Sequence, residues 1–147
     1  MTERRVILVL SGPNLNLLGQ REPEIYGRQT LDDHVAAARQ AADAAGFAVE
    51  HLQSNAEGEL IDAIQEARGR CAAIVINPGA FGHYAWGLHD ALATFDGPVV
   101  EVHVSNPNAR ESWRHTSVVA PVATGTIAGF GGHGYVLAIE AVRRLVG

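Results

Sequence analysis

A carboxylate, an imidazole and a hydroxyl alternate along one apolar stretch, at Glu101, His103 and Ser105. Alternate residues of an extended strand project to the same side, so these three share one face and Val102 and Val104 share the other. A carboxylate beside an imidazole orients the ring and raises its pKa, which suits a general acid. A solvated edge strand would show the same alternation, but we expect this strand inside the sheet, where polar side chains need partners. The pattern therefore favours His103 as a proton donor held by Glu101.

A second pair, Tyr26 and Arg21, lies in residues 11–27, a long connection without periodicity of its own. Connections of this length in compact domains are usually functional or disordered, and the leucines of this one argue against disorder. Tyrosine and arginine are common on exposed loops. However, a lone tyrosine with a pKa of about 10 becomes a better base when a guanidinium stabilises its phenolate. We therefore predict an active-site lid at residues 19–27, carrying a base for a C–H proton next to a carbonyl.

Three more polar side chains lie near predicted strand ends: Asn14, Asn77 and His83. Asn77 precedes a proline and a glycine, so it could simply cap its own turn. His83 and His103 could together bind a metal ion, but no acidic or thiol ligand completes a zinc-type spacing. The sequence therefore predicts no metal site.

The glycine run at residues 129–134 matches G-x-G-x-x-G, the dinucleotide fingerprint. Here it opens the last helix, with no following strand and no acidic residue for a ribose. Glycines that allow close packing before this helix explain the run better. A flavodoxin-like module that binds a phosphate or a nucleotide remains the alternative function.

The elements that position these residues follow from the apolar pattern. Strands are predicted at residues 6–10, 47–52, 71–76, 98–102 and 118–123. Helices are predicted from a Thr30 cap to a Gly46 stop, and at residues 57–68, 85–93 and 132–146. Alternating strands and helices predict an α/β fold, a flavodoxin-like doubly wound parallel sheet in a single domain spanning residues 1–147.

Such sheets bind ligands outside the carboxyl ends of their strands. The candidate residues follow strands one, three and four: Asn14, Arg21 and Tyr26; Asn77 and His83; Glu101, His103, Ser105 and Arg114. We therefore expect them to converge on one site.

Composition narrows the class of protein. The 147 residues carry a net charge of -5 with both signs interspersed, which argues against a nucleic-acid surface. The first apolar run is too short for a signal peptide or a membrane span, which favours the cytoplasm. The one cysteine, Cys71, begins an apolar run and is expected to be a buried, reduced thiol.

Six short motifs together resemble the type II 3-dehydroquinate dehydratases, in order along nearly the whole chain. They are GPNLNLLG at 12–19, REP at 21–23, IYG at 25–27, NPG at 77–79, EVHVSN at 101–106 and ATG at 123–125. The resemblance implies a reversible dehydration of 3-dehydroquinate to 3-dehydroshikimate without cofactor or metal. It also implies a flavodoxin-like subunit in a dodecamer built from four trimers.

The resemblance further implies roles for matching residues. Tyr26 would remove the C2 proton, with Arg21 tuning it. Asn14 would hold a water at the enolate oxygen, and His103, oriented by Glu101, would protonate the departing C1 hydroxyl. The implied substrate-binding residues are the backbone of Val104 and Ser105 for the carboxylate, Asn77, His83 and Arg114 for the ring hydroxyls, and Asp90 reaching the site of a neighbouring subunit.

Overall fold

A computed structural model describes residues 4–20 and 22–147 as five strands and five helices. The strands are β1 Arg5–Ser11, β2 Phe47–Gln53, β3 Ala73–Asn77, β4 Val99–His103 and β5 Gly125–Ala128. The helices are α1 Pro23–Tyr26, α2 Leu31–Ala44, α3 Glu57–Ala67, α4 Trp86–Ala93 and α5 His133–Val146.

The strands form one parallel sheet in the order β2-β1-β3-β4-β5. One apolar core lies between the sheet and the pair α2 and α5, and a second lies between the sheet and the pair α3 and α4. This arrangement confirms the predicted flavodoxin-like, doubly wound α/β fold. Because β4 lies between β3 and β5, it is an interior strand, as the sequence predicted.

Local sequence signals set both ends of α2, the helix that begins after Thr30. The Thr30 side chain accepts a hydrogen bond from the backbone of Asp33, and the Asp33 side chain accepts one from the backbone of Thr30. This capping box satisfies two N–H groups that helix geometry leaves free. Gly46, at a φ of +85°, takes a left-handed conformation just after the helix. The predicted cap and stop are therefore confirmed.

The fifth strand was placed wrongly by the sequence. Residues 118–123 contain a 3-10 turn at Ala120–Val122, and the strand that pairs with β4 comes afterwards. Pro121 has no N–H to give a neighbouring strand, while Val118 and Val119 are fully buried. The segment is apolar because it fills the core as a turn.

The long connection after β1 has more local structure than its sequence suggested. A 3-10 turn spans Leu15–Leu17, and the short helix α1 follows. Leu15 and Leu18 are buried. Asn14 and Glu22 have φ angles of 66° and 42°, a left-handed conformation that is uncommon for residues other than glycine. The connection is thus a packed segment with two sharp reversals.

Cys71 lies in the core, and burial raises the pKa of its thiol. A buried thiol of this kind is unreactive, in agreement with the prediction. Among the helices of residues 4–20 and 22–147, none combines the length and the apolar character that a membrane crossing requires.

Candidate active site

A cavity opens at the carboxyl ends of β1, β3 and β4, where the sheet topology predicts a site. The predicted residues that line it are Asn14, Tyr26, Asn77, His83, His103, Val104, Ser105 and Arg114. They come from connections that are far apart in the sequence. Of the other residues predicted to converge here, Glu101 contacts His103 without bordering the cavity, and Arg21 lies outside the described residues.

A buried carboxylate holds the imidazole at the end of β4. His103 Nε2 lies 2.5 Å from Glu101 Oε2, so the ring N–H donates to the carboxylate. Ser117 donates to the same oxygen at 2.8 Å, and Thr126, which pairs with Glu101 across β4 and β5, donates to Oε1 at 3.1 Å. Glu101 is only 1% exposed. Burial alone raises the pKa of its carboxyl, but these hydrogen bonds and the nearby imidazole outweigh burial and bring the pKa below its ordinary value.

This arrangement orients the His103 ring. Its Nε2 is occupied by Glu101, and the side chain borders the cavity. The carboxylate fixes the tautomer and the orientation of the ring by accepting from its Nε2–H. The pair can therefore supply a proton to a group in the cavity.

Tyr26 meets an arginine that sequence reasoning missed. Arg110 Nη1 donates to the Tyr26 hydroxyl at 2.5 Å, and its guanidinium carbon lies 5.1 Å from the centre of the ring. The same nitrogen donates to Ser105 Oγ at 3.3 Å. The Arg110 side chain is only 12% exposed. The phenol oxygen thus accepts a hydrogen bond from a charged donor, which is stronger than one from a neutral donor.

The arginine predicted for this role, Arg21, lies outside the residues that the structure describes. The guanidinium of Arg110, which donates to Tyr26, comes from the connection after β4. That connection carries Ser105 and Arg114, so Arg110 lies between two residues that were predicted. Its charge, close after the end of a central strand, was the signal that could have identified it.

Asn77 caps a turn and also borders the cavity. Its Oδ1 accepts from the Gly79 N–H at 3.2 Å, as an asparagine that caps its own turn does. Its Nδ2 donates to the Tyr135 hydroxyl at 3.2 Å. The residue is 2% exposed and still borders the cavity. The simple turn interpretation is therefore correct, and it is compatible with a contact to a ligand.

Asn14 reaches the cavity from a tight turn after β1. The backbone N–H of Gly12 donates to the Asn77 carbonyl at 2.8 Å, and that of Asn14 donates to Asn55 Oδ1 at 3.0 Å. A Cβ atom added to Gly12 would lie 2.2 Å from the carbonyl oxygen of Pro78. Only glycine lets the two turns approach this closely, so Gly12 sets the spacing between Asn14 and Asn77.

His83, Trp113 and Arg114 pack together on the far wall of the cavity. The His83 and Trp113 rings meet edge to face at 5.3 Å, and the Arg114 guanidinium carbon lies 4.0 Å above the Trp113 ring. His83 Nδ1 donates to the Thr116 carbonyl at 2.7 Å. Burial lowers the pKa of His83, although this hydrogen bond acts against it. The wall thus presents a neutral imidazole and a cation.

The two histidine rings at the cavity, those of His83 and His103, lie 6.4 Å apart. Within the part of the chain that the structure describes, His, Cys, Asp and Glu side chains form no group of three or more that is suited to a metal ion.

Asp90 is the predicted residue that does not join the others. It lies in α4, its side chain is 84% exposed, and its nearest described polar contact is His89 Nδ1 at 3.1 Å. It is not among the residues that border the cavity.

The glycine run before α5 is explained by close packing. A Cβ atom on Gly132 would lie 1.8 Å from the His34 ring, and one on Gly134 would lie 3.1 Å from Val102. Gly129 and Gly131 have φ angles of 93° and 62°. The run therefore brings the start of α5 against α2 and β4, as expected from its position.

Comparisons with known proteins agree on one family. The family described as Dehydroquinase class II matches residues 5–143. A 3-dehydroquinate dehydratase of Halalkalibacterium halodurans is 53% identical over 92% of this chain and 94% of its own. The 3-dehydroquinate dehydratase 2 of Pseudomonas aeruginosa is 56% identical over 92% of both chains.

Solved structures give the same answer for the fold. A type II dehydroquinase from Butyrivibrio crossotus superposes with a TM-score of 0.92 at 45% identity, over 96% of this chain and 99% of the other. A 3-dehydroquinate dehydratase-like protein from Bifidobacterium longum has a TM-score of 0.73 at 33% identity, over 96% and 97% of the two chains. The chain belongs to the class II dehydroquinase family.

Proposed function

We propose that this protein is a hydro-lyase that converts 3-dehydroquinate reversibly to 3-dehydroshikimate through an enolate. The observation that carries the proposal is the meeting of a Tyr26–Arg110 pair and a His103–Glu101 pair at one cavity. The first pair suits removal of a proton next to a ketone, and the second suits protonation of a leaving hydroxyl. The relatives that bear the name 3-dehydroquinate dehydratase support the choice of substrate.

In the first step, Tyr26 is the base that takes the C2 proton as a phenolate. Arg110 stabilises the phenolate through the hydrogen bond at 2.5 Å. Arg21 acts with it as the second cation of the lid. Removing the proton produces an enolate, and a water held by Asn14 donates to its oxygen, since such charge needs preorganised donors.

In the second step, His103 gives its proton to the C1 hydroxyl as the C–O bond breaks. Glu101, which accepts from His103 Nε2, keeps the ring oriented and stabilises its protonated form. Ser117 and Thr126 hold the carboxylate from the other side, so Glu101 does not turn away during the reaction.

Substrate binding uses the rest of the cavity wall. The backbone N–H groups of Val104 and Ser105 bind the carboxylate. Asn77, His83 and Arg114 contact the ring hydroxyls, and their positions along the cavity support this assignment.

The lid comprises residues 19–27 and carries the base at its end. Its short helix α1 ends at Tyr26, and Gly19 and Gly27 at its two ends have positive φ angles. Closing of such a segment would bring the base to the substrate and exclude water from the phenolate.

Assembly and location extend the proposal. We place the enzyme in the cytoplasm, as a dodecamer of four trimers in which Asp90 reaches a neighbouring cavity. The exposure of Asp90 and of the nearby Tyr84 and Trp86 rings, which are 60% and 59% exposed, supports a subunit contact at this surface. Native mass measurement tests the assembly, and a monomer at micromolar concentration would contradict it.

The activity is tested by following ultraviolet absorbance, because the product is an enone and the substrate is not. Wild-type protein should raise the absorbance when 3-dehydroquinate is added, and Tyr26→Phe should lower kcat by about 10²-fold or more. Tyr84→Phe is the matched control: it removes a hydroxyl outside the cavity but keeps the ring at the proposed subunit contact, so it should keep wild-type turnover. No absorbance change with wild type would refute the activity, whereas normal turnover in Tyr26→Phe would refute only the base.

A further inference from the structure

Tyr135 lies beneath the cavity and is fully buried within α5. Its hydroxyl oxygen is 3.1 Å from Ser11 Oγ at the end of β1 and 3.2 Å from Asn77 Nδ2 at the end of β3. Burial raises the pKa of this phenol, so the group is neutral and carries one hydrogen to donate. The proposed reaction assigns no part to it.

The direction of each hydrogen bond in this group follows from its neighbours. The Gly79 N–H can only donate, so the Asn77 atom that faces it is Oδ1 and the atom that faces Tyr135 is Nδ2. Tyr135 accepts from Nδ2 and is therefore free to donate its own hydrogen to Ser11. His51 is a neutral imidazole because burial lowers its pKa, and with its ring proton on Nδ1 its Nε2 accepts from Ser11 at 2.9 Å. The hydroxyl hydrogens of Tyr135 and Ser11 then both have acceptors.

This directed chain resists rotation of the Asn77 amide. A rotated amide would place an NH₂ group against the Gly79 N–H, two donors face to face. It would also place Oδ1 against Tyr135, which would have to turn its hydrogen away from Ser11. An amide nitrogen carries two hydrogens, and Tyr135 takes one. Among the described residues, Tyr135 is the partner recorded for Nδ2, and Asn77 borders the cavity, so we take the second N–H as the donor offered to a ligand there.

We infer that Tyr135 is a positioning residue for the dehydration: its hydroxyl fixes the Asn77 amide so that the cavity is offered an N–H donor rather than a carbonyl acceptor. The inference rests on the proposed role of Asn77 in substrate binding. Asn77 therefore binds a hydrogen-bond acceptor of the substrate, the oxygen of a ring hydroxyl. Tyr135 acts through Asn77 and does not touch the substrate.

The main experiment compares Tyr135→Phe with wild type in the ultraviolet assay. The variant keeps the ring and loses one oxygen, so we expect KM for 3-dehydroquinate to rise about three- to tenfold with kcat within about twofold. The matched control is Thr94→Val at the end of α4, which removes a hydroxyl that donates to the Ala91 carbonyl at 2.7 Å and does not border the cavity. It should lower the melting temperature by a similar amount but leave KM near the wild-type value.

A double-mutant cycle shows whether the effect passes through Asn77. If it does, Tyr135→Phe should have no further effect on KM in an Asn77→Ala background. An equal rise of KM in that background, an unchanged KM in Tyr135→Phe, or the same KM rise in Thr94→Val would each overturn the inference. An Asn77→Ala variant with wild-type KM would overturn both the inference and the proposed contact of Asn77, while the activity of the wild type would still stand.

A second variant keeps the test independent of how Tyr135→Phe folds. Asn77→Asp retains an acceptor for the Gly79 N–H and another for the Tyr135 hydroxyl, but it offers no N–H to the cavity. We expect its KM to rise at least as much as that of Asn77→Ala. A KM close to wild type would show that no donor is needed there, and it would contradict the inference.

Discussion

At the level of single residues, Arg110 adds a contact to Tyr26, the proposed base, that the sequence did not predict. Its guanidinium donates to the Tyr26 hydroxyl and contacts Ser105, so one cation joins the lid to the start of the proposed carboxylate site. Glu22 and Glu111 lie 3.9 and 3.7 Å from it and partly balance its charge. The Tyr26 hydroxyl is therefore bound by a charged side chain that belongs to the connection after β4.

Replacing Arg110 with methionine removes the charge and the hydrogen bond while keeping an unbranched side chain. A hydrogen bond to a charged group contributes about 1.5–3 kcal/mol, so kcat/KM should fall about 10- to 150-fold. Steady-state rates in the ultraviolet assay measure this loss. Arg143→Met, at an exposed position in α5 that pairs with Glu140, is the control and should be neutral. Wild-type kcat/KM in Arg110→Met would show that the contact does not support the base.

Sequence reasoning predicted the Glu101–His103 pair because both partners lie on one strand, where spacing alone puts them on one face. It missed the contact of Arg110 because that residue lies 84 positions from Tyr26. No periodicity connects two side chains that meet only through the fold. Residue types and strand ends thus predicted which side chains gather at the cavity, but not which of them pair.

At the level of elements, two turns meet where β1 and β3 end. Gly12 follows β1 and packs against the backbone of Pro78, so the two connections are in contact without any side chain between them. The positions of Asn14 and Asn77 both depend on this contact.

Gly12→Ala should destabilise the protein and lower its activity together, because the new methyl group would overlap the Pro78 carbonyl. We expect a loss of about 1–3 kcal/mol in unfolding free energy, typical of overpacking. Urea titration and the ultraviolet assay measure the two effects. The matched control is Gly58→Ala in α3, where a Cβ meets nothing within 4 Å. That change should stabilise by about 0.5–1 kcal/mol, and an equal loss in both variants would contradict the argument.

The sequence pattern predicted some strands better than others. β1 and β3 are buried along almost all of their length, so continuous apolar runs marked them clearly. β5 has only four residues, at the sheet edge and half exposed, and its sequence GTIA carries little apolar signal. The more apolar residues before it were taken for the strand instead. β5 is a strand because it pairs with β4, and the local sequence pattern gives no information about that pairing.

At the level of the whole molecule, several buried ionisable groups link folding to pH. Burial lowers the pKa of His34 and of His51 below the ordinary value of 6.5. The carboxyl pKa of Glu101 is also below its ordinary value of 4.5, since its hydrogen bonds outweigh burial. In each case the unfolded chain binds a proton at a higher pH than the folded protein does.

Stability should therefore fall on acidification. The contribution of each group is present above its unfolded pKa and is lost as the pH falls toward its folded pKa. We expect the urea midpoint to decrease between about pH 7 and pH 5 because of the histidines, and further below about pH 4.5 because of Glu101.

The variant His34→Phe isolates one of these groups. The His34 ring stacks on Tyr135 at 6.0 Å, and phenylalanine keeps a ring there without the titration. Its urea midpoint should depend less steeply on pH between about 7 and 5. Measurements at one protein concentration keep assembly constant. A midpoint that stays level for wild type, or a slope unchanged in the variant, would contradict the linkage.

The contact between Tyr26 and Arg110 has a consequence for protein engineering. The proposed lid carries the tyrosine, but the Arg110 guanidinium that donates to it belongs to the connection after β4. Grafting residues 19–27 onto another sheet of this topology would thus transfer the phenol without that cation. A transferable unit would have to include residues 103–114 as well. The two loops are joined by this contact, although they lie far apart in the sequence.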